Sequence, residues 1–530
     1  MTNMRKLPLS KLIILTSLFF VLFYNYAFFT NTLKFYSDIG FLLSLAVVLW
    51  AFILLLLTLV CTRWTTKPIL IITLIISSLT AYFMDSYNIV IDRDMIENIL
   101  QTNIHESLDL INFKLFLYLL FLGILPSYFI LKSKIEYDSF RTKIKTVLLS
   151  LVLIFATVFL FGKYYTSFFR AHKPLRYSTN PTFWIYSIGK FLNSNITDNS
   201  PFKQIATDAK VTELEGEDDN HTELVILVIG EAARADHFSL NGYSKETNPL
   251  LKKEDIINFS NMYSCGTSTA VSVPCMFSIF DKPDFSYKKG KNTENILDVL
   301  THTKYIDILW RDNNSDSKGV ADRVEFEDYK NPKTNPICDV ECRDEGMLAG
   351  LDNYIKEHKN RDILIVLHQM GNHGPAYYKR YPKEFEKFKP VCKTNQLENC
   401  TEEEISNAYD NALLYTDYFL SKVINFLKNY NNSYETAMIY ISDHGESLGE
   451  NGVYLHGLPY FIAPENQTHV GAFIWLGKEI TKEVDIDKLK QINDKEYSHD
   501  NLFHTLLGIF EVNSKVYLPN MDILANTVKR

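Results

Sequence analysis

The sequence predicts two unlike parts: a bundle of five membrane-crossing helices, then an exported α/β domain whose mixed, mostly parallel sheet is sandwiched by helices. Three observations predict this. Five apolar runs fall in the first third of the chain, at residues 12–29, 40–61, 69–84, 115–131 and 146–161, at or near the length a helix needs to cross a bilayer. Six of the 7 cysteines lie beyond residue 264. The remainder alternates short Ile/Val/Leu-rich runs with helical stretches, the pattern of a parallel sheet covered by helices. The mean hydropathy of −0.06 averages over both parts and describes neither.

Loop charge orients the membrane part. Arg5, Lys6 and Lys11 precede the first run, Arg63 and Lys67 follow the second, and Lys132, Lys134, Arg141, Lys143 and Lys145 follow the fourth. The positive-inside rule makes these segments cytoplasmic. The loop at 85–114 is acidic, with Asp92, Asp94, Glu97, Glu106 and Asp109, and suits the opposite side. The third run is short, and the contrast of charge across it supports a span. Five crossings place everything after residue 163 outside the cytoplasm. No small-residue cleavage site follows the first run, which therefore reads as a retained span rather than a signal peptide. The expected organisation is a membrane domain at 1–162 with a cytoplasmic amino terminus, an interfacial segment and linker at 163–222, and the exported domain at 223–530.

Cysteine usage agrees with export. Cys61 sits at the expected cytoplasmic end of the second span, whereas the other six fall in close sequence pairs. Of fifteen possible connectivities, three local disulfides are expected: Cys265–Cys275, Cys338–Cys342 and Cys392–Cys400, formed in a periplasm-like compartment. The competing reading, a structural zinc site, lacks the paired CxxC spacing.

Residues 164–202 mix Arg170, Lys173 and Arg176 with Phe168, Phe169, Trp184 and Tyr186, a composition suited to the bilayer interface. The acidic run 213–219 reads as a solvated linker. Strands are expected at 224–229, 305–310, 363–367, 437–441 and 470–475. Several end in polar clusters, where open α/β sheets bind ligands: Gly230-Glu231, HQMGNHG at 368–374 and SDHGE at 442–446. Glu231, Asp443 and His444 offer two carboxylates and an imidazole, a set that suits zinc with a position open for a hydroxyl. Such a hydroxyl is at hand in CGTSTAVSVPC at 265–275. A lone strand-end Asp-His is more often a cap or a hydrogen-bonded pair; three clusters converging on a Thr/Ser-rich turn favour the metal.

The stretches GEAARAD (230–236), 265–278, WRDNNSDSKG (310–319), HQMGNHGPAYY (368–378) and SDHGESLG (442–449) resemble the lipid A phosphoethanolamine transferases, the family that includes the mobile colistin-resistance enzymes. The resemblance covers nearly the whole chain. It implies the alkaline phosphatase/sulfatase fold, a location in the bacterial inner membrane with the catalytic domain in the periplasm, phosphatidylethanolamine as donor and a lipopolysaccharide lipid as acceptor. It implies Thr269 as nucleophile, and a catalytic zinc held by Glu231, Thr269, Asp443 and His444. His373 and His456 would lie around the substrate phosphate and take a further zinc, with Lys318 near the same site. No nucleic-acid partner is expected, and the chain is expected to be a monomer.

The chemistry fits those residue types. Threonine is a poor nucleophile at neutral pH, and zinc, which lowers the pKa of bound water from about 15.7 to about 7, favours ionisation of a hydroxyl. Two steps are expected: Thr269 attacks the donor phosphorus and expels diacylglycerol, then an acceptor phosphate or hydroxyl takes the phosphoethanolamine group. His373 and His456 would protonate the leaving oxygen, activate the acceptor or steady phosphoryl oxygens. Thr267, Ser268 and Ser272 are expected to cap a helix or bond to backbone. In the acidic loop, Asn98, Thr102 and Glu106 recur at i, i+4 and i+8 and share one face of a helix; the resemblance makes this face the donor-headgroup site, the alternative being a solvated amphipathic helix. Sulfatase chemistry is disfavoured, because Met276 stands where Cys/Ser-x-Pro-x-Arg requires arginine. Other acceptors, glycerol phosphate transfer of the lipoteichoic-acid-synthase kind, and an inactive envelope-lipid-binding protein are the competing functions; an intact Glu231, Thr269, Asp443 and His444 set argues against the last.

Overall fold

A computed structural model describes residues 6–102, 104–170, 172–196, 201–212 and 222–529, the side chains of 104–106 and 194–196 excepted. Arg5, the acidic run 213–219 and the side chain of Glu106 therefore lie outside the described residues. Two compact units emerge: 1–96 with 111–193, and 97–110 with 194–530.

Among the described residues of the first unit four helices are long and apolar enough to cross a membrane: Ile39–Val60, Thr66–Tyr87, Phe113–Lys132 and Phe140–Leu160. The short third run is thus a 22-residue helix. The first run, expected as a single span, is a bent pair, Leu9–Phe23 and Tyr26–Leu33, at 51°. The bend has a local cause. Buried Asn25 donates through Nδ2 to Phe20 O and Asn180 O and accepts from Asn180 N, so a side-chain amide satisfies main chain where the helix is interrupted.

The second unit is built on a seven-stranded sheet of β1 (Thr222–Gly230), β2 (Ile256–Asn258), β3 (Ile306–Asp312), β4 (Glu325–Asp328), β5 (Asp362–His368), β6 (Tyr434–Ser442) and β7 (Ala472–Leu476). The order is β2-β7-β6-β1-β5-β3-β4, and in this sheet β7 alone runs against the rest. The five strands expected from sequence are all present. The two that escaped notice, β2 and β4, lie at the edges; β4 reads EFED, and charge on an edge strand blocks further pairing while hiding the apolar signal.

Both sheet faces are covered. Val225, Leu227 and Ile229 of β1 join one apolar cluster with helix Asp500–Ile509, while Leu224, Ile226 and Val228 join another with helix Glu402–Lys428. Period-2 alternation along a strand buried on both sides produces this division. The long helix starts in a capping box, Thr401 with Glu404, which satisfies otherwise orphaned N–H groups. Register then sets the site: Ser442 pairs with Gly230, Ile229 with His368 and Asp312 with His368, so the carboxyl ends of β1, β3, β5 and β6 come level. The three expected disulfides are formed, Cys265–Cys275, Cys338–Cys342 and Cys392–Cys400, and Cys61 is buried as a free thiol.

Candidate active site

Two strand ends and one helix start contribute the groups. Glu231 follows β1, where Gly230 is obligatory because a Cβ would lie 2.4 Å from Tyr440 Oη. Ala232, next along, holds a left-handed φ of 55°, a strained conformation characteristic of functional turns. Asp443 and His444 follow β6. Thr269 is the first residue of helix Thr269–Met276; its hydroxyl donates to Glu231 Oε2 at 3.0 Å and lies 3.4 Å from His444 Nε2. His444 Nε2 is in turn 3.3 Å from Glu231 Oε1 and 3.4 Å from Asp443 Oδ2.

These donors fit a metal. A tetrahedral ion with ligands at about 2.0–2.1 Å holds its donor atoms roughly 3.3 Å apart, and the pairs Thr269–Glu231, Thr269–His444, His444–Glu231 and His444–Asp443 stand at 3.0–3.4 Å. Their other atoms are occupied: Asp443 Oδ1 accepts from Ala232 N and His444 N, Glu231 Oε2 accepts from Asn314 Nδ2 at 2.8 Å, and His444 Nδ1 donates to Gly445 O. That last bond fixes the tautomer and turns the Nε2 lone pair inward. Glu231 Oε1 and Asp443 Oδ2 are buried without a hydrogen-bond donor among the described residues. The electrostatics agree: burial, with Glu231 adding to it, lifts Asp443 to about 6, and His444, pulled down by burial, is carried up to about 10 by Asp443 and Glu231. Glu231, which burial would raise, is held well below the carboxylate range by His444 first. Two buried carboxylates sharing one imidazole favour positive charge between them.

The histidines expected at the substrate line the same centre. A ligand atom of His456 lies within 4.8 Å of those of Glu231 and His444; its ring is 4.1 Å from that of His444 and 6.0 Å from that of His373. Cys265, Cys275 and Asp500 also cluster, but both sulfurs are consumed in the disulfide. Lys318, with φ 53°, directs its ammonium to Ser315 O at 2.7 Å and Gln101 O at 3.2 Å and lines a cavity of about 100 Å³ with Pro274 of the nucleophile helix. The helical face of 98–106 is interrupted: one helix ends at Gln101 and the next spans Ile104–Asp109, with Thr102 Oγ1 bonded back to Asn98 O. Thr267 donates to Leu458 O, and Ser272 Oγ accepts from Gly266 N, so both serve backbone as expected. Ser268 occupies the N-cap position without a side-chain capping bond.

Three contributors carry no role in the sequence reading. Asn314 binds Glu231 as described. Glu446 is buried, accepting from His456 Nδ1 at 2.9 Å and Tyr377 Oη at 2.7 Å; its spacing in SDHGE is the one available signal. His499 accepts from Cys265 N and donates to Ser442 O, tying the threonine-rich loop to the end of β6, with nothing in the local sequence to mark it.

Comparison with known proteins agrees with this geometry. Residues 223–512 match the sulfatase family model, so the second unit belongs to the sulfatase class of α/β enzymes. Residues 49–196 match the model of phosphoethanolamine transferases EptA/EptB. The chain is 44% identical over 516 residues to phosphatidylethanolamine transferase Mcr-2 of Escherichia coli, covering 94% of each chain. It is 40% identical over 491 residues to the phosphoethanolamine transferase EptA of E. coli K12, covering 91% of this chain and 89% of that one. The integral membrane lipooligosaccharide phosphoethanolamine transferase A of Neisseria meningitidis superposes with a TM-score of 0.94 at 34% identity, over 99% of this chain and 100% of that one. The chain belongs to the phosphoethanolamine transferase family.

Proposed function

We propose that this protein transfers phosphoethanolamine from phosphatidylethanolamine to a glucosamine phosphate of lipid A through a phosphoethanolamine-threonine intermediate. One observation carries the reading: a threonine hydroxyl stands within 3.0–3.4 Å of a buried carboxylate and imidazole that share a centre built to receive a cation. Glu231, Thr269, Asp443 and His444 would hold a zinc ion, and His373 and His456 would offer ligands to a second. Bound zinc supplies Lewis acidity, easing ionisation of the hydroxyl and offsetting charge on phosphoryl oxygens.

The chain's own residues do the rest. Thr269 Oγ bonds to phosphorus as the phosphorus–oxygen bond to glycerol breaks, and diacylglycerol leaves with a proton. An acceptor phosphate oxygen then attacks the same phosphorus and frees Thr269. Glu446 keeps the His456 proton on Nδ1, so Nε2 is available to accept a proton or a metal, and His373 faces the phosphoryl group from the other side. Asn98, Thr102 and Glu106 hold the donor headgroup, the Glu106 carboxylate pairing with its ammonium, and Lys318 steadies the phosphate.

The surrounding organisation is that of a monomer in the bacterial inner membrane. Five spans occupy 1–162, the bent pair serving as the first, an interfacial segment and linker follow at 163–222, and the catalytic domain at 223–530 lies in the periplasm. Mass spectrometry of lipid A from cells expressing the wild type and Thr269→Ala tests the proposal. Added phosphoethanolamine is expected with the wild type alone; its presence with the variant would sink the nucleophile, and its absence with both would sink the acceptor.

A further inference from the structure

Residues 97–110 lie between segments of the membrane unit in sequence and cluster with the catalytic unit in space. Asp109 fastens one end. Its Oδ1 meets Lys379 Nζ at 2.5 Å and its Oδ2 meets Arg380 Nη2 at 2.6 Å, while its main-chain carbonyl accepts from Asn395 Nδ2 at 2.6 Å. At the other end Gln101 O accepts from Lys318 Nζ. The Asp109–Arg380 pair is not a surface contact of the kind solvent screens away: the Arg380 side chain is 3% exposed and that of Asp109 12%. Burial would raise the Asp109 carboxyl, but Arg380 and Lys379 hold it below its ordinary value.

Arg380 has a second task. Its Nε donates to His373 O at 2.7 Å, and Nη1 pairs with Glu341. Nε–H and Nη2–H lie along one edge of the planar guanidinium, so a single rigid edge bridges the Asp109 carboxylate and the main chain of His373. Without the Asp109 charge the buried cation keeps its pair with Glu341, and a turn toward that carboxylate draws Nε away from His373 O.

We infer that Asp109 is a positioning residue of the transferase: through Arg380 it fixes the main chain at His373, and the same carboxylate clasps segment 97–110 to the catalytic unit. The segment carrying Asn98, Thr102 and Glu106 is thereby kept in step with His373. The inference rests on the proposed roles of His373 and of that segment, and on no titration.

The test uses the full-length protein in vesicles of phosphatidylethanolamine, phosphatidylglycerol and lipid A, reading diacylglycerol release and amide hydrogen exchange over 97–110. Asp109→Asn is expected to raise exchange across the segment and to lower kcat/KM by about ten- to a hundredfold, the scale of an ångström-sized misplacement. Asp109→Glu is expected to restore most of both. Arg380→Lys keeps a charge opposite Asp109 but has no edge to bridge with, so kcat should fall while the segment stays protected. Wild-type exchange in Asp109→Asn overturns the clasp. Raised exchange with kcat and KM within about twofold of wild type overturns the positioning role, as does equal impairment by Asp109→Glu. Should Asp109→Asn fail to fold, Arg380→Lys decides, and unchanged turnover there overturns the inference. Full activity in His373→Ala would instead remove the reading of His373, leaving the exchange result to stand alone.

Discussion

At the scale of single residues, Glu446 holds the orientation of the His456 imidazole beside the centre. Its carboxylate accepts from His456 Nδ1 and Tyr377 Oη; a glutamine can present its amide N–H to the imidazole, and the proton then moves to Nε2. Glu446→Gln is expected to lower turnover about 10- to 100-fold with the thermal midpoint nearly unchanged; wild-type kinetics would refute the role. His499 makes a pH prediction. Burial lowers its pKa from 6.5 to about 3, so the unfolded chain takes up this proton first. The neutral histidine's contribution is complete above about 6.5 and drains away as pH falls toward 3. A thermal midpoint followed from pH 7 to 4 should drop less steeply in His499→Gln than in the wild type. Glu231, Asp443 and His444 stand out in the sequence because each abuts a strand end, and the threonine-rich turn stands out beside them; within that turn Thr269 is marked by the family resemblance and not by a local signal. His499 was not, since its partners Cys265 and Ser442 are 234 and 57 residues away.

At the scale of elements, the disulfide flanking the nucleophile helix joins cysteines 10 residues apart. By loop-closure entropy such a link contributes about 2–3 kcal/mol, most of it through the unfolded chain. The double variant Cys265→Ser/Cys275→Ser is expected to lose that much stability in denaturant titration; a loss under about 1 kcal/mol would mean the loop is held by His499 and packing instead. The pairing was readable from spacing, as were five strands of the sheet, because their apolar runs are buried on both faces. The bend at Asn25 was not. The apolar run passes through it unbroken, and the partner that interrupts the helix, Asn180, lies 155 residues away.

At the scale of the whole molecule, a centre with two buried carboxylates should depend on its ion for stability as well as activity. A chelator is expected to lower the thermal midpoint and abolish diacylglycerol release, and zinc to restore both; a midpoint indifferent to chelation would count against a resident metal. In cells, an ethanolamine ammonium on a lipid phosphate offsets negative surface charge, so polymyxin susceptibility should fall with the active gene and stay unchanged with Thr269→Ala. The two-part architecture, the three disulfides and the main strands are written in the sequence, because periodicity, loop charge and cysteine spacing are local quantities, while the choice of Thr269 as partner to Glu231, Asp443 and His444 comes from the family resemblance. Tertiary structure alone decided which donor atoms face inward, how Glu446 and Arg380 set the histidines, and that residues 97–110 cluster with the catalytic unit. Those depend on strand register and on hydrogen bonds between residues far apart in sequence, which leave no periodic trace along the chain.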